Sequence, residues 1–148
     1  MGFKNAVEAT EDIKDCYNKG LTALGSNSGK VRPHNTRRVN GSVNLDDCVS
    51  GKYPDASRWD YIIGYNGAAY FLEVHPASTS NVGEMIKKLN WLKVWLRREA
   101  AEINAIKASD KPFRWVASKG VGIVKDSPQA LRLAKSGLSF PQKITVLK

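Results

Sequence analysis

Residues 58–75, RWDYIIGYNGAAYFLEVH, decide how the rest of the chain is read. Asn66-Gly67 sits between two runs rich in aromatic and β-branched residues, and this dipeptide fits a two-residue type I′ turn. The spacing predicts a hairpin in which Tyr65 faces Ala68 and Ile63 faces Tyr70. Asp60 then falls opposite Glu73. Side chains alternate along a strand, which puts Asp60, Ile62, Phe71, Glu73 and His75 on one face. Trp59, Tyr61, Ile63, Tyr70, Leu72 and Val74 take the other. Directly opposed residues have Cβ atoms about 5 Å apart, a distance at which two like charges repel. Two acids facing each other in so apolar a hairpin call for a cation between them, and a divalent metal ion would turn their repulsion into binding.

Outward from the hairpin, the chain reads as one domain spanning residues 1–148. Residues from Phe3 to about Leu24 carry Val7, Ile13, Tyr17, Leu21 and Leu24 at roughly helical spacing, with Glu8, Glu11, Asp12 and Asp15 on the other side. Gly25 to Asn40 is polar and reads as a mobile basic loop. Its GSNSGK departs from a P-loop, with too few residues between the glycines and Val31 in place of Ser or Thr. Lys30, Arg32, His34, Arg37 and Arg38 are available there to phosphates. Val39 to Leu45 predicts a short strand.

After the hairpin, the longest helix is expected from about Asn81 to Ala108, opened by an Asn81/Glu84 capping box. Its apolar stripe runs through Val82, Met85/Ile86, Leu89, Leu92, Trp95/Leu96, Ile103 and Ile106, while Lys87, Lys88, Lys93, Arg97 and Arg98 make it basic. Phe113 to Ser118 alternates like a strand, Ser127-Pro128 starts a further helix, and Lys143 to Leu147 reads as a last edge strand. Both faces of the hairpin are apolar, so helices are expected on both sides of the sheet.

Composition narrows the function. A net charge of +9 and a pI near 9.7 favour a polyanionic partner, nucleic acid above all. No apolar run is long enough to cross a membrane, and no signal-type segment opens the sequence, so a cytoplasmic setting is expected. Cys16 and Cys48 stand apart without a metal-binding pattern and are expected to be free thiols.

A carboxylate on one strand, a Glu-x-basic triplet on the next and then a helix resemble the PD-(D/E)xK nuclease superfamily. The matching residues are Asp60 and Glu73-Val74-His75. The resemblance implies an α/β, restriction-endonuclease-like fold with a mixed central sheet of four or five strands flanked by helices. It implies a Mg²⁺ or Mn²⁺ ion held by Asp60, Glu73 and the Val74 carbonyl, with Glu8 or Glu11 of the first helix as a third acid. Hard cations of this kind take oxygen ligands, one or two carboxylates being usual for Mg²⁺. His75 stands where the family has lysine. Imidazole can serve as a general base near neutral pH but does not supply an ammonium's permanent charge. Some members of the superfamily recruit the lysine from the following helix, which makes Lys87 or Lys88 the replacement. Hydrolysis of DNA or RNA phosphodiesters follows as the expected activity, with Asp60, Glu73, His75 and Lys87 in catalysis. Lys30, Arg32, Arg37, Arg38 and Lys88 would then meet the nucleic-acid backbone, and a homodimer is implied as well. The alternative is a catalytically inactive module on the same fold that binds nucleic acid or a protein partner.

Overall fold

The computed structural model describes residues 1–148. The hairpin forms with the expected register: Tyr65 pairs with Ala68, Ile63 with Tyr70 and Tyr61 with Leu72. Asn66 and Gly67 adopt φ of 51° and 80°, the left-handed values that a type I′ turn requires at both central positions. The two strands of the hairpin are β3 (Tyr61–Tyr65) and β4 (Ala68–Ser78).

Four strands build the main sheet. Besides the hairpin they are β2 (Val39–Asn44), antiparallel to β3, and β5 (Phe113–Gly122), parallel to β4, in the order β2-β3-β4-β5. A parallel neighbour needs a crossover, and α3 (Val82–Glu99) with α4 (Ala101–Ala105) supplies it. Ahead of the sheet stands α1 (Phe3–Glu8), and α2 (Leu45–Val49) lies between β2 and β3. Within this sheet the order is helix, strand, short helix, hairpin, helices and parallel strand: a mixed α/β architecture. A second, two-stranded parallel sheet joins β1 (Val31–Pro33) to β6 (Thr145–Leu147), and α5 (Pro128–Ser136) precedes β6.

The two faces of the main sheet are covered differently, which corrects the expectation of helices on both. All the α-helices contribute to one core, where Phe3, Val7, Leu45, Met85, Leu89, Ile103 and Leu133 meet Ile62 and Phe71. The other face carries Ile63, Tyr65, Leu72 and Val116, closed over by Leu24, Val31 and Leu147 from a 3₁₀ segment and the small sheet. β6 is therefore paired in that small sheet and does not extend the main one.

Other expectations are corrected in detail. The first helix ends at Glu8, where Thr10 turns its hydroxyl back to the Ala6 carbonyl (2.8 Å), and short 3₁₀ turns follow at Glu11–Ile13 and Thr22–Lys30. The segment read as a mobile loop is mostly regular: after that 3₁₀ stretch come β1 and a 3₁₀ turn at Thr36–Arg38. The long helix breaks at Ala100, whose φ of −138° and ψ of 49° lie outside the helical region. Its capping box is Ser78/Asn81, one turn earlier than Asn81/Glu84. Trp59 precedes β3 and packs into the helix-side core, not with Tyr61 and Ile63 as strict alternation predicts. Its indole Nε1 is buried without a hydrogen-bond partner.

Cys16 and Cys48 are joined in a disulfide, so neither is a free thiol. The bond ties the segment after α1 to α2 across a sequence separation of 32 residues. Closing a loop of that length stabilises a fold by about 2–4 kcal/mol.

Candidate functional site

Asp60 and Glu73 meet where β3 begins. In a two-residue hairpin the paired positions alternate between hydrogen-bonded and non-bonded, and Asp60 opposite Glu73 falls on a non-bonded position, where side chains approach most closely. The backbone amide of Asp60 donates to Glu73 Oε1 (3.0 Å), and the amide of Val74 donates to Asp60 Oδ2 (3.0 Å). Each acid is thus tied to the other's strand. A residue's N–H and C=O point to the same edge of its strand, so the Val74 carbonyl opens to the β3 side as well.

Helix α3 completes the cluster. Lys88 Nζ donates to Glu73 Oε2 (2.7 Å), and His75 Nε2 stands 3.4 Å from Glu84 Oε2. The pairing follows from geometry. Glu73 and His75 are about 6.8 Å apart along the strand, while Glu84 and Lys88, one helical turn apart, are separated by about 6 Å. Two same-face positions of β4 therefore match one turn of α3. The other ring nitrogen of His75 lies 3.0 Å from the Pro76 carbonyl, and the ring is 14% exposed.

The electrostatics of the pair are unusual. Glu73 has a side chain only 1% exposed; burial, and then the charge of Asp60, push its pKa up to about 8 against the pull of Lys88. Burial also raises Asp60, and the Val74 amide and Lys88 only partly offset it. Burial draws the Lys88 pKa down, but Glu73 and Asp60 outweigh it and hold the ammonium above its ordinary range. Asp46 of α2 adds to the negative field and is itself paired with Arg58 (2.8 Å). The Asp60 carbonyl accepts from the amides of Leu45 and Asp46 at the start of α2 (2.8 and 3.3 Å), which anchors the strand entry that carries the acid.

These residues fit a hard divalent cation in donor type: two carboxylates meet at one strand end with a carbonyl on the same strand edge, and one proton or cation there relieves the acids' mutual repulsion. No group of three or more His, Cys, Asp or Glu side chains is arranged to hold a metal ion, so a cation bound by Asp60 and Glu73 would keep several waters.

Other candidates fall elsewhere. Glu11 is 82% exposed and paired with Lys14 (3.0 Å), and Glu8 lies near Lys4 (3.9 Å); neither is brought to Asp60 and Glu73. Lys87 is exposed, and the inward position belongs to Lys88. The sequence held the signal for that choice: Lys88 flanks the stripe of Met85, Leu89 and Leu92, whereas Lys87 is turned more than a quarter of a helix turn further from it. Arg32, Arg37 and Arg38 are exposed, and Lys30 donates to Asn27 Oδ1 (3.1 Å). The Arg38 carbonyl accepts from Asn66 (2.8 Å), which fixes that arginine at the turn end of the hairpin. The length of β3, about 17 Å, separates it from the carboxylates.

A second acid, read from the sequence as part of the polar side of the first helix, is turned inward instead. Asp12 is 3% exposed and accepts from Lys52 Nζ (2.6 Å), the Tyr53 hydroxyl (2.6 Å) and Trp95 Nε1 (3.0 Å). Burial alone would raise its pKa, but these three donors outweigh it and hold the carboxyl below the usual range.

No helix is long and apolar enough to cross a membrane. No family model matches the chain, and comparison with curated proteins and with solved structures gives no match either.

Proposed function

We propose that the chain is a metal-dependent nuclease of the PD-(D/E)xK kind, cutting DNA or RNA phosphodiesters. One observation carries this reading: two acids meet on adjacent strands in a buried setting, where burial first and the charge of Asp60 second lift Glu73 to about 8, with a lysine of the next helix held 2.7 Å away. A strand entry that carries Asp60, a following strand that carries Glu73 and then a helix are also the order on which the resemblance rests.

Asp60, Glu73 and the Val74 carbonyl would hold Mg²⁺ or Mn²⁺. The ion, when bound, supplies Lewis acidity and lowers the pKa of a bound water. Lys88 takes the role of the family's lysine, in place of both His75 and Lys87. Its ammonium has three donors and spends one on Glu73, which leaves two for a water or a phosphoryl oxygen. His75 is the group able to take a proton from an attacking water. Lys87, exposed on the same helix, is suited to a backbone phosphate, and the exposed Arg32, Arg37 and Arg38 would meet nucleic acid further along the molecule. A homodimer rests on the resemblance alone. The cytoplasmic setting rests on composition, and the Cys16–Cys48 bond weighs against a reducing compartment.

A second reading, an inactive binding module, is favoured by one feature. Both Glu73 oxygens already accept hydrogen bonds, from the Asp60 amide and from Lys88, so the network is satisfied as a structural ion pair. Incubation of supercoiled plasmid and of single-stranded RNA with Mn²⁺ separates the two. The nuclease reading predicts cleavage that EDTA abolishes and that Asp60→Asn and Lys88→Met each lower at least a hundredfold. Metal-insensitive binding of either nucleic acid, without cleavage and unchanged in Asp60→Asn, assigns the module instead.

A further inference from the structure

On the opposite face of the sheet from Asp60 and Glu73 lies a cavity of about 450 Å³ that the nuclease reading does not use. Tyr70 and Arg114 define that face: Tyr70 alternates with Phe71 and Glu73 along β4, and Arg114 pairs with Leu72 across the parallel ladder. Lys111, Phe140, Gln142 and Lys148 complete the part of the lining that matters here. The volume falls within the range of small-molecule sites.

The cavity has an excess of positive charge without partners. Lys111, Arg114 and Lys148 line it against one acid, Asp110, and none of the three is in an ion pair. Arg114 is half-buried and locked in place. Its Nε donates to the Lys111 carbonyl (2.7 Å), and its Nη1 donates to Thr145 Oγ1 (3.1 Å) and to the Val146 carbonyl (2.8 Å). The guanidinium lies 5.0 Å from the centre of the Tyr70 ring. Its Nη2 donates to no protein acceptor, which leaves an oriented, partly desolvated donor beside the cavity.

Two further features point to a ligand. Lys111 has a φ of 45°, although it is not glycine and precedes Pro112, which favours extended backbone. The Arg114 bond to its carbonyl holds this conformation, and such outliers cluster at ligand sites. Phe140, 52% exposed, presents an uncovered aromatic surface on the same lining. A fixed guanidinium and unpaired ammonium groups beside an open aromatic ring match the two halves of a nucleotide, a phosphate and a flat base.

We propose that this cavity binds a nucleoside phosphate, with Arg114 and Lys111 on the phosphate and Phe140 against the base. The ligand is either a free nucleotide or the phosphorylated end of a strand. Calorimetry in EDTA, which removes any metal-bridged contribution, tests this with adenosine 5′-monophosphate, adenosine, and a short oligonucleotide with and without a 5′-phosphate. The monophosphate should bind about tenfold or more tightly than adenosine. Lys111→Glu and Phe140→Ala, both at exposed positions and so compatible with folding, should each weaken it about tenfold. Binding of the phosphorylated oligonucleotide with the same losses identifies a strand end, and binding of the mononucleotide alone identifies a free nucleotide. Asp60→Asn should bind the monophosphate as the wild type does, so failure of the nuclease reading leaves this site standing. Absence of monophosphate binding at millimolar concentration, or equal binding by both variants, overturns the proposal.

Discussion

The fold buries two carboxylates, Asp12 and Glu73, and treats them in opposite ways. Asp12 receives an ammonium, a phenol and an indole, and has no acid beside it, so its charge is favoured. Glu73 receives one lysine and one backbone amide but faces Asp60 across the hairpin, so its charge is opposed. Both side chains are nearly closed to solvent, but Glu73 lies deeper in the fold, so burial opposes its charge more strongly and the neighbours complete the difference. Three donors around one acid build a structural pin between the first turns, the segment before β3 and α3. Two acids around one lysine leave a site that holds a proton or a cation in order to be at rest.

The sharpest way to break this comparison is to remove the lysine. Lys88→Met leaves two buried acids uncompensated and should cost about 3–5 kcal/mol at pH 9. The cost should shrink at pH 6, well below the folded value near 8 at which Glu73 takes up its proton, and denaturation at the two pH values reads the difference. Equal loss at both would mean that Lys88 contributes packing alone.

The disulfide sharpens the structural half. Cys48→Ser should lower stability by about 3 kcal/mol, from the loop it no longer closes. Metal binding, measured at a temperature where the variant is folded, should weaken severalfold at most, because the bond joins the far end of α2 while its first two amides hold the Asp60 carbonyl. Asp12→Asn should cost about 2 kcal/mol, the weakening of hydrogen bonds from Tyr53 and Trp95 to a charged acceptor. That loss should fade as pH falls. A depressed folded pKa contributes stability above the unfolded value, near 3.8, that disappears as pH drops through the folded one.

Glu73 must show the reverse slope. Its folded pKa of about 8 lies above the ordinary 4.5, so the native state keeps a proton that the unfolded chain releases. Stability should therefore fall as pH rises through the window from about 4.5 to about 8, by a few kcal/mol at most. Glu73→Gln should remove that slope. The smallest effect belongs to Lys87→Ala, expected within about 0.5 kcal/mol of wild type because the side chain is exposed.

How much of this was legible in the sequence varies from one region to the next, for physical reasons. The hairpin register could be read because Asn66-Gly67 fixes the turn locally and the side-chain period leaves no freedom after it. The Asp60–Glu73 encounter followed directly. Helix α3 was legible from its stripe, though not its break at Ala100, since alanine is compatible with a helix interior. The segment from Glu8 to Lys30 was misread: Val7, Ile13, Tyr17, Leu21 and Leu24 approximate a helical period while serving both cores and the contacts between them. The Cys16–Cys48 bond and the β1–β6 pairing join residues far apart in sequence, and no local pattern announces either. Asp12 escaped because its three donors come from two distant segments.

The most direct test of the central claim is calorimetric titration of Mn²⁺ at pH 7 in buffers of different ionisation enthalpy. With Glu73 near 8, the empty pair carries a proton that the cation must displace. The account predicts binding to the wild type with release of about one proton per ion, and none to Glu73→Gln. A parallel melt should gain roughly 2.7 kcal/mol at metal one hundredfold above Kd. Absence of binding, or binding that Glu73→Gln retains, would contradict it.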